Sequence, residues 1–118
     1  MILTNLSLAS AQHGYTIDKT VRFGANKSAV SYRGKIPNRL ETHTYHLKAR
    51  EGQTLWVQLV AKNPEMTFQI FDANDNEIGS PGDIEWSWEG NVPASGEYTI
   101  LVQAARGSGN YTLNIKLQ

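Results

Sequence analysis

The feature that most constrains the fold is a turn at residues 93–96 that leads directly into an alternating segment. The turn has the sequence Pro-Ala-Ser-Gly, and Pro, Ser and Gly each favour turns for a separate stereochemical reason. In the segment that follows, Tyr98, Ile100 and Val102 recur with a period of two, which places them on one face of a strand. Such alternation predicts a strand with one buried face and one solvated face, as antiparallel sheets allow.

The same alternation recurs along the rest of the chain between turn signals. It predicts about eight strands, which cover residues 21–23, 28–33, 42–49, 54–61, 66–70, 84–88, 98–102 and 111–117. No segment has the long period of an amphipathic helix. These observations predict an all-β domain, either an antiparallel β-sandwich or a small barrel. Of the two we expect the sandwich, with a jelly-roll or immunoglobulin-like arrangement.

Composition and charge exclude several classes of function. The chain has 118 residues, 11 basic and 11 acidic side chains, and a formal net charge of zero. This balance argues against a large basic surface for nucleic acid or for an anionic membrane. No apolar run approaches ~18 residues, so we expect no membrane span. The chain has no cysteine, which excludes disulfides, thiolate nucleophiles and cysteine-bound zinc.

The first residues differ in character from the rest. Residues 1–12 are weakly apolar, and Ala9-Ser10-Ala11 has the small-x-small form of a signal-peptidase site. No Lys or Arg precedes this stretch. We therefore expect residues 1–18 to be either an N-terminal arm or the remnant of a signal peptide, and residues 19–118 to be the β-sandwich domain.

The histidines do not suggest catalysis or metal binding. His43 and His46 lie three apart on a predicted strand, so they point to opposite faces and cannot chelate one metal together. His13 falls in the N-terminal arm. We predict no catalytic residue, no metal site and no cofactor.

The acidic turn that starts at Asp72 has partial similarity to a calcium loop. Its Asp-x-Asn-x-Asn spacing matches the first ligand positions of an EF-hand. Glu77 stands where that loop needs Gly, and Asp83 stands where it needs a bidentate Glu. A polar hairpin turn is the better interpretation.

The three tryptophans allow two interpretations. Trp86 and Trp88 are predicted to share one face of a short strand, whereas Trp56 lies on the polar face of its strand beside Gln58. If the three rings are exposed, they provide a stacking surface for sugars. If they are buried, they are large core residues.

Three segments resemble the pre-peptidase C-terminal type of β-sandwich domain. Residues 45–55 are similar to its Tyr-x-Phe-x-Ala-x-x-Gly-Gln-x-Leu/Val segment, residues 93–98 to its Pro-Ala-Ser-Gly-x-Tyr segment, and residues 109–113 to its closing Gly-x-Tyr-x-Leu strand. The resemblance extends over residues 21–117 and implies a β-sandwich.

A closer resemblance is to the bacterial periplasmic inhibitors of goose-type lysozyme. It rests on residues 21–23, on residues 28–34 and on Ser95-Gly96-Glu97-Tyr98, which matches the Ser-Gly-x-Tyr segment of those inhibitors. The resemblance implies that the loop with this segment enters the cleft of the lysozyme. Those inhibitors often have a longer basic hairpin before the last strand. Here residues 104–110 are short, with Arg106 as their only charge.

These resemblances lead to the functional expectation of a non-enzymatic binding domain that is periplasmic or secreted. The expected partner is a goose-type lysozyme or another cell-wall lytic enzyme, and the expected partner-binding residues are Ser95, Gly96, Glu97, Tyr98 and Arg106. Tyr98 either joins the contact or braces the loop from beneath. The alternative is a carbohydrate-binding or cell-wall-binding accessory module that stacks glycans on Trp56, Trp86 and Trp88.

Overall fold

The alternating segments form strands in the computed structural model, which describes residues 15–82 and 86–118. The described residues contain no helix and nine strands. The strands are β1 (Tyr15–Thr20), β2 (Ala29–Ile36), β3 (Glu41–Ala49), β4 (Thr54–Ala61), β5 (Met66–Phe71), β6 (Glu77–Gly79), β7 (Ser87–Asn91), β8 (Gly96–Ala104) and β9 (Gly109–Leu117). The predicted all-β class is confirmed.

The strands form two sheets that pack face to face. One sheet has the order β1-β3-β8-β5-β6 and the other the order β2-β9-β4-β7. Every pairing is antiparallel except that of β1 with β3, which is parallel. The structure is therefore the predicted sandwich. It has one more strand than expected, because β6 is only three residues long and too short to show alternation.

The start of the sandwich differs from the prediction. Residues 21–23 do not form a strand; the first strand is β1, and its residues 15–18 had been assigned to the arm. The backbone N–H of Val21 donates to the carbonyl of His46 at 2.8 Å, so the ladder with β3 continues one residue past β1. Ile17 is the one aliphatic residue in the sequence of β1, and an edge strand this polar does not alternate. Residues 1–14 lie outside the described part of the chain.

The core consists of the inward positions of both sheets. On β4, β5, β8 and β9 every second residue is buried, as the sequence pattern predicts. Full burial of one such side chain stabilises the fold by about 1.5–3 kcal/mol. The largest side chains of this core include Tyr45, Tyr98, Phe68, Ile36, Leu55, Met66, Ile70, Ile100, Leu113 and Ile115.

Two aromatic rings reach their places only because the facing residue is glycine. Gly34 of β2 pairs with Tyr111 of β9, and a Cβ atom at Gly34 would overlap the Tyr111 ring and hydroxyl. In the same way, a Cβ atom at Gly79 of β6 would overlap the ring of Trp88 on β7. The second contact joins the edge strands of the two sheets.

A buried polar chain crosses the core beside Gly34. Nε2 of His43 lies 2.6 Å from the carboxylate of Glu41, and its Nδ1 lies 2.6 Å from the hydroxyl of Tyr111. That hydroxyl lies 2.5 Å from the hydroxyl of Tyr45. All four side chains are buried. This buried polar chain joins β3 of one sheet to β9 of the other. Each buried polar group thereby has the partner that its burial requires.

His46 lies on the opposite face of β3 from His43, as the spacing predicts. Its Nδ1 lies 2.9 Å from the hydroxyl of Thr99 and its Nε2 lies 3.2 Å from the carboxylate of Asp18. The Thr44 hydroxyl also donates to Asp18. The hydrogen bond from Thr44 lowers the pKa of Asp18 most, and the hydrogen bond with His46 lowers it further. Both hydrogen bonds hold β1 against β3.

The connections between strands lie at two opposite ends of the sandwich. We call one the Ser95 end; it has the β1–β2, β3–β4, β5–β6 and β7–β8 connections. We call the other the Arg106 end; it has the β2–β3, β4–β5 and β8–β9 connections.

The contact between Gly34 and Tyr111 makes a prediction about stability. We expect Gly34→Ala to lower the free energy of unfolding by about 1–3 kcal/mol, because the added methyl group overpacks the core. This loss corresponds to a fall of roughly 5 °C or more in the melting temperature of a domain this size. The matched control is Gly24→Ala, where the new Cβ would meet only the Lys27 side chain, with Cγ at 3.4 Å and Cβ at 4.0 Å. Thermal melts of equal midpoint for the two variants would contradict the packing argument.

The buried tyrosines make a prediction about alkaline pH. Burial raises the pKa of Tyr45, and burial together with the hydrogen bond to Tyr45 raises the pKa of Tyr111. Because both phenols stay protonated in the fold, their contribution to stability is complete below the unfolded pKa near 10 and is lost as the pH rises above it. We expect a loss of about 1 kcal/mol per buried tyrosine between about pH 10 and 11. Urea denaturation across this range measures it, and the slope should be shallower in Tyr111→Phe.

Candidate functional site

The Ser-Gly-x-Tyr segment lies at the Ser95 end, where the β7–β8 connection enters β8. Tyr98 is only 2% exposed, and its ring belongs to the core. Its hydroxyl donates to the carbonyl of Ala94 at 2.6 Å and accepts the backbone N–H of the same residue at 3.3 Å. Of its two predicted roles, the structure supports the second, because Tyr98 braces the connection from beneath and offers almost no surface to a partner.

Ser95 ties the same connection to the neighbouring β3–β4 turn. Its hydroxyl oxygen accepts the backbone N–H of Glu51 at 2.9 Å. Two backbone hydrogen bonds lie alongside, from Gly52 N–H to the Val92 carbonyl at 2.9 Å and from Val92 N–H to the Gln53 carbonyl at 2.7 Å. The connection is therefore held at several points although its tip is exposed.

Three of the predicted contact residues are exposed together at this tip. They are Ser95, Gly96 and Glu97. Glu97 pairs across the sheet with Lys48 of β3. The exposed groups thus combine one hydroxyl, one glycine backbone and one carboxylate.

Arg106 does not join this group. It lies in the β8–β9 connection, and the nine residues of β8 separate it from the Ser95 end. A strand of that length spans about 30 Å. The predicted partner-binding residues therefore belong to two surfaces at opposite ends of the sandwich.

Asn63 holds the connection that contains Arg106. Its side-chain amide donates to the carbonyls of Arg106 at 2.9 Å and Ser108 at 3.2 Å, while its side-chain oxygen accepts the Glu65 N–H at 2.9 Å. Gly107 completes the turn with a φ of 75°, in the region that favours glycine. The short β8–β9 connection is thereby fixed against the β4–β5 turn.

A groove of about 940 Å³ lies beside this connection, on the outer face of the four-stranded sheet. We call it the basic groove. It crosses β2, β9 and β4, and its lining includes Arg33, Lys35, Val60, Lys62, Asn110 and Thr112. The sequence pattern did not predict this groove. The alternation of Arg33 and Lys35 in the sequence indicates that both point to the same face of β2. The placement of Lys62 beside them depends on the order of the strands in the sheet, which the sequence pattern does not show.

The tryptophans do not form the stacking surface that the alternative function requires. Trp86 and Trp88 do not share a face, since Trp86 precedes β7 with a φ of 48° and is 45% exposed. Trp88 packs against the core. Trp56 lies on the outer face, but Lys116 Nζ lies 4.9 Å from the centre of its ring. The row of exposed rings predicted as one possibility is absent from the described residues.

The turn that starts at Asp72 is a polar hairpin turn, as expected. One oxygen of the Asp72 carboxylate accepts the backbone N–H groups of Asn74 and Asn76, both at 2.9 Å. The hydrogen bond from the Asn76 backbone N–H lowers the pKa of Asp72 most, and the hydrogen bond from the Asn74 backbone N–H lowers it to a smaller extent. The carboxylate is engaged with its own turn, and within residues 15–82 and 86–118 no group of three His, Asp or Glu side chains could hold a metal ion.

The fold matches known structures closely. PliG of Aeromonas hydrophila, a periplasmic lysozyme inhibitor of g-type lysozyme, has a TM-score of 0.80 at 23% identity, over 89% of this chain and 99% of that one. A mutant of PliG from Escherichia coli has a TM-score of 0.71 at 22% identity, over 88% and 100% of the two chains. The pre-peptidase C-terminal domain of a Bacillus anthracis collagenase has a TM-score of 0.65 at 16% identity, over 87% and 96%.

Both resemblances predicted from the sequence are therefore confirmed at the level of the fold. No model of a known protein family and no curated protein sequence matches the chain. In the part of the chain that the structure describes, no helix has the length and apolar character to cross a membrane.

The bracing role of Tyr98 can be tested directly. We expect Tyr98→Phe to keep the fold and to lower the free energy of unfolding by about 1 kcal/mol, because the hydroxyl loses both hydrogen bonds to Ala94. Amide hydrogen exchange should accelerate more at Ala94 than at the Val57 amide, in the centre of the other sheet, which responds only to the global loss of stability. Equal protection of Ala94 in the two proteins would show that the hydroxyl does not hold the loop.

Proposed function

We propose that the protein is a non-enzymatic inhibitor of a goose-type lysozyme and acts in the periplasm or as a secreted protein. The observation that carries the proposal is the match to Aeromonas hydrophila PliG, whose chain is covered over 99% of its length with a TM-score of 0.80. The likeness extends over the sandwich as a whole, and Ser95, Gly96 and Glu97 of the Ser-Gly-x-Tyr segment are exposed where the chain enters β8.

The Ser95 end supplies a contact loop suited to a cleft. The Ser95 hydroxyl uses one acceptor position for Glu51 N–H. A hydroxyl also has one proton to donate, and among the described residues nothing accepts it. That proton is available to a carboxyl group of the lysozyme. Exposed Gly96 beside it allows close approach of a partner surface.

The loop is already ordered in the free protein. Tyr98 holds Ala94 from the core side, and Glu51 holds Ser95 from the neighbouring turn. Binding by a preorganised loop avoids part of the entropy loss that ordering would otherwise cost. Tyr98 thus acts as a positioning residue, and Ser95, Gly96 and Glu97 form the proposed contact.

The state of the histidines supports a non-enzymatic role. His43 is buried with Glu41 and Tyr111, and His46 is bound to Thr99 and Asp18 on a sheet face. Neither ring faces a cleft in which a substrate could meet it. The alternative glycan-stacking role of the tryptophans has no observation in its favour, because Lys116 lies over Trp56.

Inhibition of goose egg-white lysozyme tests the proposal. We expect the protein to inhibit bacterial cell lysis at stoichiometric amounts and to affect chicken-type lysozyme much less. Ser95→Ala should weaken binding by about fivefold to tenfold, the value of one hydrogen bond to a partner. The matched control is Ser108→Ala, an exposed serine at the Arg106 end, which should bind as the unmodified protein does.

Arg106→Ala separates the two ends in the same assay. Loss of inhibition in Arg106→Ala with full inhibition in Ser95→Ala would move the contact to the Arg106 end. If micromolar protein inhibits no goose-type lysozyme, the proposed function is wrong.

A further inference from the structure

The basic groove presents two rows of outward side chains in a fixed register. In one row Arg33 of β2 pairs with Thr112 of β9, which pairs with Val60 of β4. In the next outward row Lys35 pairs with Asn110, and Lys62 follows the end of β4. Adjacent outward positions on one strand are about 7 Å apart, and positions two strands apart are about 10 Å apart. The cations are thus spread over the groove and do not converge on one point.

The groove has an uncompensated positive charge. Arg33, Lys35 and Lys62 are all exposed, and among the described residues no carboxylate forms an ion pair with any of them. Within residues 15–82 and 86–118, no acidic side chain lines the groove. The chain as a whole has no net charge, so this face is a local concentration of cations. It is complementary to a ligand that has several separated negative charges.

The surface between the cations suits hydroxyl groups. Asn110 and Thr112 point outward, because their neighbours Tyr111 and Leu113 are buried in the core. The Asn110 and Thr112 side chains make no hydrogen bond with another described residue, which leaves an amide and a hydroxyl free to donate and accept. Val60, 53% exposed, supplies a small apolar patch beside them.

Other polyanions fit this surface less well. Among the residues that the structure describes, no exposed aromatic ring lines the groove, so it lacks the stacking surface with which proteins bind single-stranded nucleic acid. It also lacks a deep apolar pocket for the anchor side chain of a peptide. An extended chain rich in hydroxyl groups, with an anion on successive units, uses both the cations and the neutral polar groups.

We infer that the basic groove binds an acidic polysaccharide, with Arg33, Lys35 and Lys62 on its anionic groups and Asn110 and Thr112 on its hydroxyl groups. The site is separate from the proposed lysozyme contact, because it lies on the four-stranded sheet at the Arg106 end. Either site can therefore fail without the other.

Calorimetric titration with an oligogalacturonate tests the inference. We expect binding at one site per protein that weakens as salt rises from about 20 mM to about 200 mM, because exposed ion pairs are screened. A neutral maltodextrin of equal length should not bind. The triple variant Arg33→Gln, Lys35→Gln, Lys62→Gln should bind about tenfold or more weakly, the combined loss of three exposed ion pairs.

The matched control removes the same charge from the Ser95 end. It is the triple variant Lys27→Gln, Lys48→Gln, Arg50→Gln, and it should bind the oligogalacturonate as the unmodified protein does. If the two triple variants lose affinity equally, the binding is a response to net charge and the inferred site is wrong. Absence of binding at millimolar oligogalacturonate would also overturn it.

A second pair of measurements tests the class of ligand. We expect Asn110→Ala combined with Thr112→Val to weaken binding of the oligogalacturonate about threefold to tenfold, since hydrogen bonds to the sugar are lost. A poly-glutamate peptide of equal charge should bind more weakly than the oligogalacturonate and should not respond to this double variant. If the peptide binds as tightly, the groove recognises charge alone and the assignment to polysaccharide is wrong.

Discussion

The strict alternation along β9 is the constraint on which both the core and the outer groove depend. Tyr111, Leu113 and Ile115 point inward and are buried, which forces Asn110 and Thr112 outward. A shift of one residue in register would exchange these sets. It would place amides in the core and leave the Tyr111 hydroxyl without His43 and Tyr45. The buried polar chain and the Gly34 contact therefore specify the register that creates the outer surface.

The two ends of the sandwich are stabilised by the same device. At the Ser95 end, the Tyr98 hydroxyl and the Ser95 hydroxyl satisfy backbone groups of connecting segments. At the Arg106 end, the Asn63 amide does so for the carbonyls of Arg106 and Ser108. Loops without regular hydrogen-bonding partners need such side chains, because an unpaired backbone group is costly once water is excluded. Exposed tips can then vary in sequence above a rigid base.

Much of the fold could be predicted from the sequence, and the reasons for the rest are physical. β4, β5, β8 and β9 pack one face on the core and alternate cleanly, so local pattern predicts them. β1 is a polar edge strand paired along one side only, and β6 is too short for a period. Of the predicted strand at 84–88, residues 84 and 85 lie outside the described part of the chain, and the described strand begins at Ser87 because Trp86 lies in a turn. The alternation that places Ile100 and Val102 in the core also places Tyr98 there, so the sequence pattern is compatible with a bracing role for Tyr98.

The basic groove could not be predicted, because its three cations come from strands that are distant in sequence. Only the sheet order β2-β9-β4 brings Arg33 and Lys35 near Lys62. Ser95 and Arg106 show the opposite case. The resemblance associates both residues with one function, but the sandwich places them at opposite ends. In a β-sandwich, two residues share a surface when they lie on the same face of a sheet and at the same end of the sandwich. Alternation in the sequence predicts the face, but it predicts the end much less well.

The buried position of Tyr98 also changes what the Ser-Gly-x-Tyr segment means. A tyrosine whose hydroxyl satisfies the backbone of its own entering loop is useful to any sandwich with this connection, whatever it binds. The segment therefore carries information about the scaffold through Tyr98, whereas the proposed partner contact lies in its exposed residues Ser95 and Glu97. Specificity for one partner must come from exposed groups such as these, since the buried tyrosine is nearly out of a partner's reach.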